Sequence, residues 1–167
     1  MEQKSIGFVG GGRITRIFLQ AFKNKKFKNG IIKVHDTSKE ILISLKNRFL
    51  DIKIADSLGP VFRQEIVFIA IHPPVIMDTL DKMKHFITDD SVIVSLAPKI
   101  SIEKIIAKLG VRNIVRMIPS ATSYINEGYN PLCFAGSFES DKSQLIKIFE
   151  VMGKTFDVPE DKLETYV

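Results

Sequence analysis

The segment Ile6-Gly7-Phe8-Val9-Gly10-Gly11-Gly12 constrains this chain more than any other: an apolar run ends in three glycines and a helical pattern begins at once. From Arg13 to Lys25 the apolar residues Ile14, Ile17, Phe18, Ala21 and Phe22 recur at helical spacing. A strand can enter a helix this abruptly only through a tight, side-chain-poor turn. The unpaired N–H groups of the first helical turn then face the end of the strand. The same alternation continues. The patterning predicts strands at 5–9, 31–35, 52–55, 66–71, 91–96, 113–118, 132–135 and 155–158. It predicts helices at 13–25, 37–49, 57–64, 75–86, 101–109 and 141–152. Thr37 and Glu40 have capping-box spacing, Pro73-Pro74 is read as stopping a strand, and Gly110 and Gly153 as closing helices.

This rhythm predicts an α/β, Rossmann-type doubly wound fold, with a mostly parallel sheet and helices on both faces. The run Ile66 to Ile71 is almost wholly apolar, as a strand buried on both sides requires. Residues 1–158 are read as one dinucleotide-binding domain. Residues 159–167, from Pro159 through two acids, are read as the start of a helix and the truncated beginning of a helical C-terminal domain.

Gly10-Gly11-Gly12-Arg13-Ile14-Thr15 fits a G-x-G-x-x-(G/A) phosphate turn at its first two glycines. Gly10 permits the tight turn, and Gly12 lets a pyrophosphate approach the backbone at the helix start. Thr15 stands where Gly or Ala is usual, so the helix is expected to sit slightly away from the strand. Arg13 opposes the helix dipole; it reaches a phosphate or points to solvent. Asp36 ends the second strand, where an acid bonds a ribose 2′-hydroxyl and repels a 2′-phosphate. Thr37, Ser38 and Lys39 could instead hold such a phosphate. The cofactor is therefore read as NAD or NADP, with Asp36 favouring NAD.

Several segments in order resemble the pyrroline-5-carboxylate reductase family. They are Ile6 to Gly12, Val67 to Pro73, Val94 to Ala97 followed by Ile100 to Glu103, Val115 to Pro119, and Glu127-Gly128. The resemblance implies an NAD(P)H-dependent oxidoreductase that passes hydride to a small imine, as in the conversion of pyrroline-5-carboxylate to proline. It implies that Ala70, Ile71, His72 and Pro73 pass near the nicotinamide ribose. Ser95, Ala97 and the loop Pro119, Ser120, Ala121 and Thr122 would then lie near the nicotinamide and the substrate. It also implies a homodimer formed through a C-terminal helical domain. This chain departs from the family at His72, at Pro98-Lys99 and at Ser120-Ala121-Thr122. Two other readings fit the same turn: another dehydrogenase sharing this domain, including those that pair NADP with a deazaflavin, and a non-catalytic dinucleotide-binding regulatory protein.

Charge and composition narrow the partners. Residues 1–35 hold eight Lys/Arg and one acid, and the remainder carries a slight acidic excess. The basic cluster Lys23, Lys25, Lys26 and Lys28 falls at a predicted helix C-terminus, where cations complement the dipole, so no nucleic-acid partner is expected. No apolar run approaches the ~20 residues of a membrane span, and the N-terminal residues do not read as a signal peptide. The single cysteine, Cys133, reads as a core thiol, and a cytoplasmic location is expected. His35 reads as a strand-end residue, His72 as a residue at the ligand edge and His85 as solvated. No residues show metal-ligand spacing, so no metal is expected. No catalytic residue can be named.

Overall fold

A computed structural model describes residues 3–167. Strand β1 (Ile6–Val9) is buried along its whole length because β2 (Ile32–His35) and β4 (Ile66–Ile69) flank it, both parallel to it. Successive side chains of a strand face opposite sides, so two cores form. On one side Phe8 and Phe68 stack at 4.9 Å, and Phe18 of α1 (Arg13–Asn24) packs against both. Each fully buried Phe contributes about 1.5–3 kcal/mol relative to exposure. Helices α2 (Lys39–Arg48) and α6 (Lys142–Glu150) complete this face. On the other side Val9, Val67, Ile69 and Ile93 meet α3 (Gly59–Phe62), α4 (Pro73–Met83) and α5 (Ile102–Leu109).

Eight strands run in the order β3-β2-β1-β4-β5-β6-β7-β8. They include β3 (Lys53–Ile54), β5 (Val92–Ser95), β6 (Ile114–Met117), β7 (Gly128–Phe134) and β8 (Gly153–Asp157). β1 to β6 are parallel; β7 is antiparallel to β6 and parallel to β8. The chain leaves β1 toward β2 on one face and reaches β4 across the other, so the strand order reverses between β1 and β4. In open α/β sheets this switch point is where ligands bind. The expected Rossmann-type, mostly parallel architecture is present.

Several local expectations change. Pro73 and Pro74 do more than stop β4: they open α4, where a missing N–H costs nothing. The cap of α2 is Ser38, whose hydroxyl accepts from the Ile41 N–H at 3.3 Å; Thr37 is exposed and caps nothing. The helix expected over 57–64 shrinks to the four residues of α3. β7 begins four residues earlier than expected and runs through Pro131. A 3-10 helix at Ala121–Ile125 was not anticipated, because its short polar sequence has no periodicity. Residues 159–167 begin, as expected, in a helix. A four-residue α7 (Glu160–Leu163) and a 3-10 turn dock on the sheet, with Leu163 fully buried. Among the described residues no helix is long and apolar enough to cross a membrane.

Candidate functional site

The three glycines of the turn answer to different constraints. Gly10 lies at φ +98°, and a Cβ there would collide with the Ala70 carbonyl oxygen. Its N–H donates to the His35 carbonyl at 2.8 Å, so the turn is wedged between the ends of β2 and β4. At Gly11 a Cβ would meet Leu45 at 2.8 Å and Ile41 at 3.0 Å, both on α2. Packing therefore accounts for these two glycines. It does not account for Gly12, which has φ −76° and nothing within 4 Å of its Cβ position. The space beside Gly12 is open at the N-terminus of α1. The first intrahelical bond there is Arg16 N–H to Gly12 C=O, so the N–H groups of Arg13, Ile14 and Thr15 precede the ladder. No side chain caps this helix and its first turn carries no acid. Open room, free N–H groups and a positive dipole end together suit an anion.

Thr15 stands at the third position of the turn pattern. It is fully buried, and its hydroxyl donates to the Gly10 carbonyl at 2.6 Å. Its hydroxyl thus ties the first turn of α1 to the glycine turn. Arg13 is exposed and Ile14 half-buried.

Asp36 ends β2 with both carboxylate oxygens engaged. Oδ2 accepts from the Gly11 N–H and Oδ1 from the Ser38 N–H, each at 2.8 Å. Asp36 thus ties the glycine turn to the adjacent strand end. Each oxygen keeps a second lone pair for a further donor. Thr37 is exposed beside it and Ser38 is used as a cap. His35 bonds the Ala55 carbonyl through Nδ1 at 2.8 Å. A carbonyl only accepts, so Nδ1 carries the proton, and His35 is a staple between β2 and the segment after β3.

The remaining predicted residues fall at the same sheet edge. Ala70 bonds the Val9 carbonyl, and Ile71 lies next to Gly10. Exposed His72 is the N-cap of α4 and makes no side-chain cap bond; Pro73 follows as its first residue. Ser95 and Ala97 are buried at the end of β5, and Leu96 N–H donates to the Ile69 carbonyl. The Ser95 hydroxyl has no hydrogen-bond partner. Pro119 to Thr122 follow β6, but their polar groups serve the loop itself. Ser120 Oγ pairs with Thr122 Oγ1 at 3.0 Å and accepts from the Tyr129 N–H. The 3-10 helix then leads to the end of α1, where Asn24 bonds the Tyr124 carbonyl. A cavity of about 970 Å³ opens at the opposite edge, among the starts of β4, β5 and β6. It is lined by charges of both signs and touches none of the predicted residues. Strand direction and the open glycine select the other edge despite that volume.

One residue, read only as part of the segment Val115 to Pro119, was given no role of its own. Arg116 of β6, its side chain only 3% exposed, faces Glu160 and Glu164 of the C-terminal segment. Its sequence signal was a charge inside an otherwise apolar strand. Burial works to raise the Glu164 carboxyl, but the Arg116 bond and charge and the Lys99 N–H together leave it below its ordinary value. Cys133 is the register neighbour of Arg116, and burial, aided by Glu160, pushes its thiol up. That suits a core thiol rather than a nucleophile. Among the described residues no three His, Cys, Asp or Glu side chains gather as a metal site requires.

A family model described as NADP oxidoreductase, coenzyme F420-dependent, matches residues 5–99, more than half of the chain. The chain belongs to that family. The matched segment holds the glycine turn, Asp36, His72 and Ser95. The pyrroline-5-carboxylate reductase of Escherichia coli is 25% identical over 169 residues, covering 99% of this chain and 62% of that protein. The structure of a pyrroline-5-carboxylate reductase from Coxiella burnetii superimposes with a TM-score of 0.87 at 22% identity, covering 97% of this chain and 62% of that one. A Plasmodium falciparum pyrroline carboxylate reductase with NADP bound gives 0.83 at 22% identity, covering 97% and 60%. The chain thus spans less than two thirds of the length of each. The structural likenesses establish the shared fold.

Proposed function

We infer that this chain is the dinucleotide-binding part of an NAD(P)H-dependent reductase acting on a small cyclic imine, as the names of its relatives indicate for them. The observation that carries the reading is Gly12. No packing demand calls for a glycine there, and the room that it leaves sits against unpaired N–H groups at the start of α1. In this reading Gly10 shapes the turn, Gly12 admits the pyrophosphate and the N–H groups of Arg13 and Ile14 hold it. Asp36, already oriented by Gly11 and Ser38, accepts from the adenosine ribose hydroxyls. Its charge opposes a 2′-phosphate, so NAD is preferred to NADP. The segment Ala70 to Pro73 flanks the nicotinamide ribose. Ser95 and Ala97 face the nicotinamide, and Pro119 to Thr122 border the substrate. The dinucleotide supplies the hydride; these residues orient it and exclude water.

A second reading, reduction of NADP by a deazaflavin, rests on the description of the matched family. Exposed Thr37 and Lys39 are the groups available to a 2′-phosphate.

Fluorescence titration of the chain with NADH and NADPH tests both readings. Saturable binding of at least one is expected, with NADH tighter. Asp36→Ala is expected to shift the ratio toward NADPH. If neither nucleotide binds at millimolar concentration, the cofactor reading is wrong. An unchanged ratio removes Asp36 from the ribose site.

A further inference from the structure

Among the described residues Arg116 is the one arginine inside the sheet, and it contacts the C-terminal segment rather than solvent. Its guanidinium bonds Glu160 Oε1 at 2.9 Å through Nη1 and Glu164 Oε1 through Nη2; its Nε has no partner. Both carboxylates reach further. Glu160 Oε1 accepts the Ile102 N–H at 2.7 Å, the first residue of α5. Glu164 Oε1 accepts the Lys99 N–H at 2.9 Å. Lys99 lies at φ +65°, a conformation uncommon for a side-chain-bearing residue and kept only where surroundings impose it. One buried cation thus grips two carboxylates, and these grip the middle and the far end of the loop between Ala97 and Ile102.

Stability alone gives a weak reason for this arrangement. A buried ion pair holds a fold no better than apolar residues of similar volume, but it does select one geometry. The geometry selected belongs to the loop after β5. That loop stands at the ligand edge of the sheet, beside the end of β4, and begins at Ser95 and Ala97. Ser95 is also the register partner of Arg116.

We propose that Arg116 is a positioning residue: through Glu160 and Glu164 it fixes the loop 97–102 against the nicotinamide half of the bound dinucleotide. The proposal rests on the cofactor reading above. It makes the C-terminal segment part of the site, acting on the nicotinamide half and leaving the adenosine half untouched.

The test compares two ligands on the full chain: NADH, which spans both halves, and ADP-ribose, which lacks the nicotinamide. Glu164→Ala is expected to weaken NADH about tenfold, the value of one charge-assisted hydrogen bond. ADP-ribose affinity should stay within about twofold, a change below 1 kcal/mol. Amide exchange at Lys99 should accelerate while exchange at Gly11 does not. Glu164→Gln, whose amide oxygen still accepts, should restore most of the NADH affinity. Should Glu164→Ala fail to fold, Glu160→Ala carries the same comparison through Ile102. An unchanged ratio of NADH to ADP-ribose affinity, or equal loss of both, overturns the proposal. If the unaltered chain binds neither ligand, the cofactor reading itself has failed.

Discussion

Substitution at Gly10 and at Gly12 should separate folding from binding within one turn. At Gly10, alanine faces a φ of +98° and a collision with the Ala70 carbonyl. Backbone strain of about 1–3 kcal/mol adds to about 1–3 kcal/mol for forcing two backbone segments apart. A central value of about 4 kcal/mol lowers Tm by roughly 8–16 °C for a chain of this size. At Gly12, alanine meets no atom within 4 Å and keeps an ordinary φ of −76°. The small loss of N-cap preference is offset by reduced unfolded-state entropy, so stability should change by less than about 1 kcal/mol. Binding should behave otherwise. A methyl group in the cradle displaces a phosphate oxygen from its N–H donors. Loss of one charge-assisted bond, about 1.5–3 kcal/mol, weakens NADH roughly 10–150-fold. Gly12→Val should weaken it further. Circular dichroism melting and NADH titration on the three variants read both quantities. Unchanged NADH affinity in Gly12→Val would refute the assignment of the turn. A Gly12→Ala chain that melts as early as Gly10→Ala would show that Gly12 is structural.

Two further outcomes follow from buried polar contacts. Thr15→Val removes the donor to the Gly10 carbonyl and adds a methyl in its place. Loss of the bond, set against the gained apolar burial, should cost about 1–2 kcal/mol, or roughly 2–8 °C in Tm; a Val variant as stable as the parent would show that the bond contributes nothing. Glu164 and Glu65 are both held below their ordinary values: burial opposes ionisation at each, but Arg116 with Lys99 N–H, and Lys4 with Ser5, outweigh it. A carboxylate depressed on folding contributes stability that is complete above its unfolded value, about 4.3, and lost as pH falls through the folded value. The Tm difference between the parent and Glu164→Ala should therefore be constant from pH 6 to 8 and shrink as pH falls below about 4. A gap that persists at acid pH would show that Glu164 is not ionised in the folded chain.

Much of this molecule was legible before any coordinates. The alternation of β-branched runs with helical stripes announced a doubly wound sheet, because period and apolarity are local properties of a chain. The glycine turn was legible for the same reason: strand, glycines and helix are contiguous. Gly110 as the close of a helix was also legible, since a left-handed C-cap acts on residues beside it. The misreadings lie where distant segments decide. That the Thr15 hydroxyl would reach the Gly10 carbonyl was not legible, because that position depends on how α1 lies on β1. The cap of α2 moved from Thr37 to Ser38 because Asp36, pinned to Gly11, sets where the helix can begin. The 3-10 helix after β6 is held by Asn126, which bonds both Ala21 and Val151 carbonyls.

The sequence by itself determined the fold class, the glycine turn and the sheet edge on which that turn stands, since these follow from the direction of strands and the chemistry of adjacent residues. Only the tertiary structure decided which glycine is spare. The pattern already gave Gly10 and Gly12 different positions, but that packing holds Gly10 and Gly11 and leaves Gly12 open is set by Ala70 and α2, residues far off in sequence. It also decided that Arg116, Glu160 and Glu164 form one clamp. Charges 44 and 48 residues apart carry no mutual pattern until β6 and the C-terminal segment are brought together.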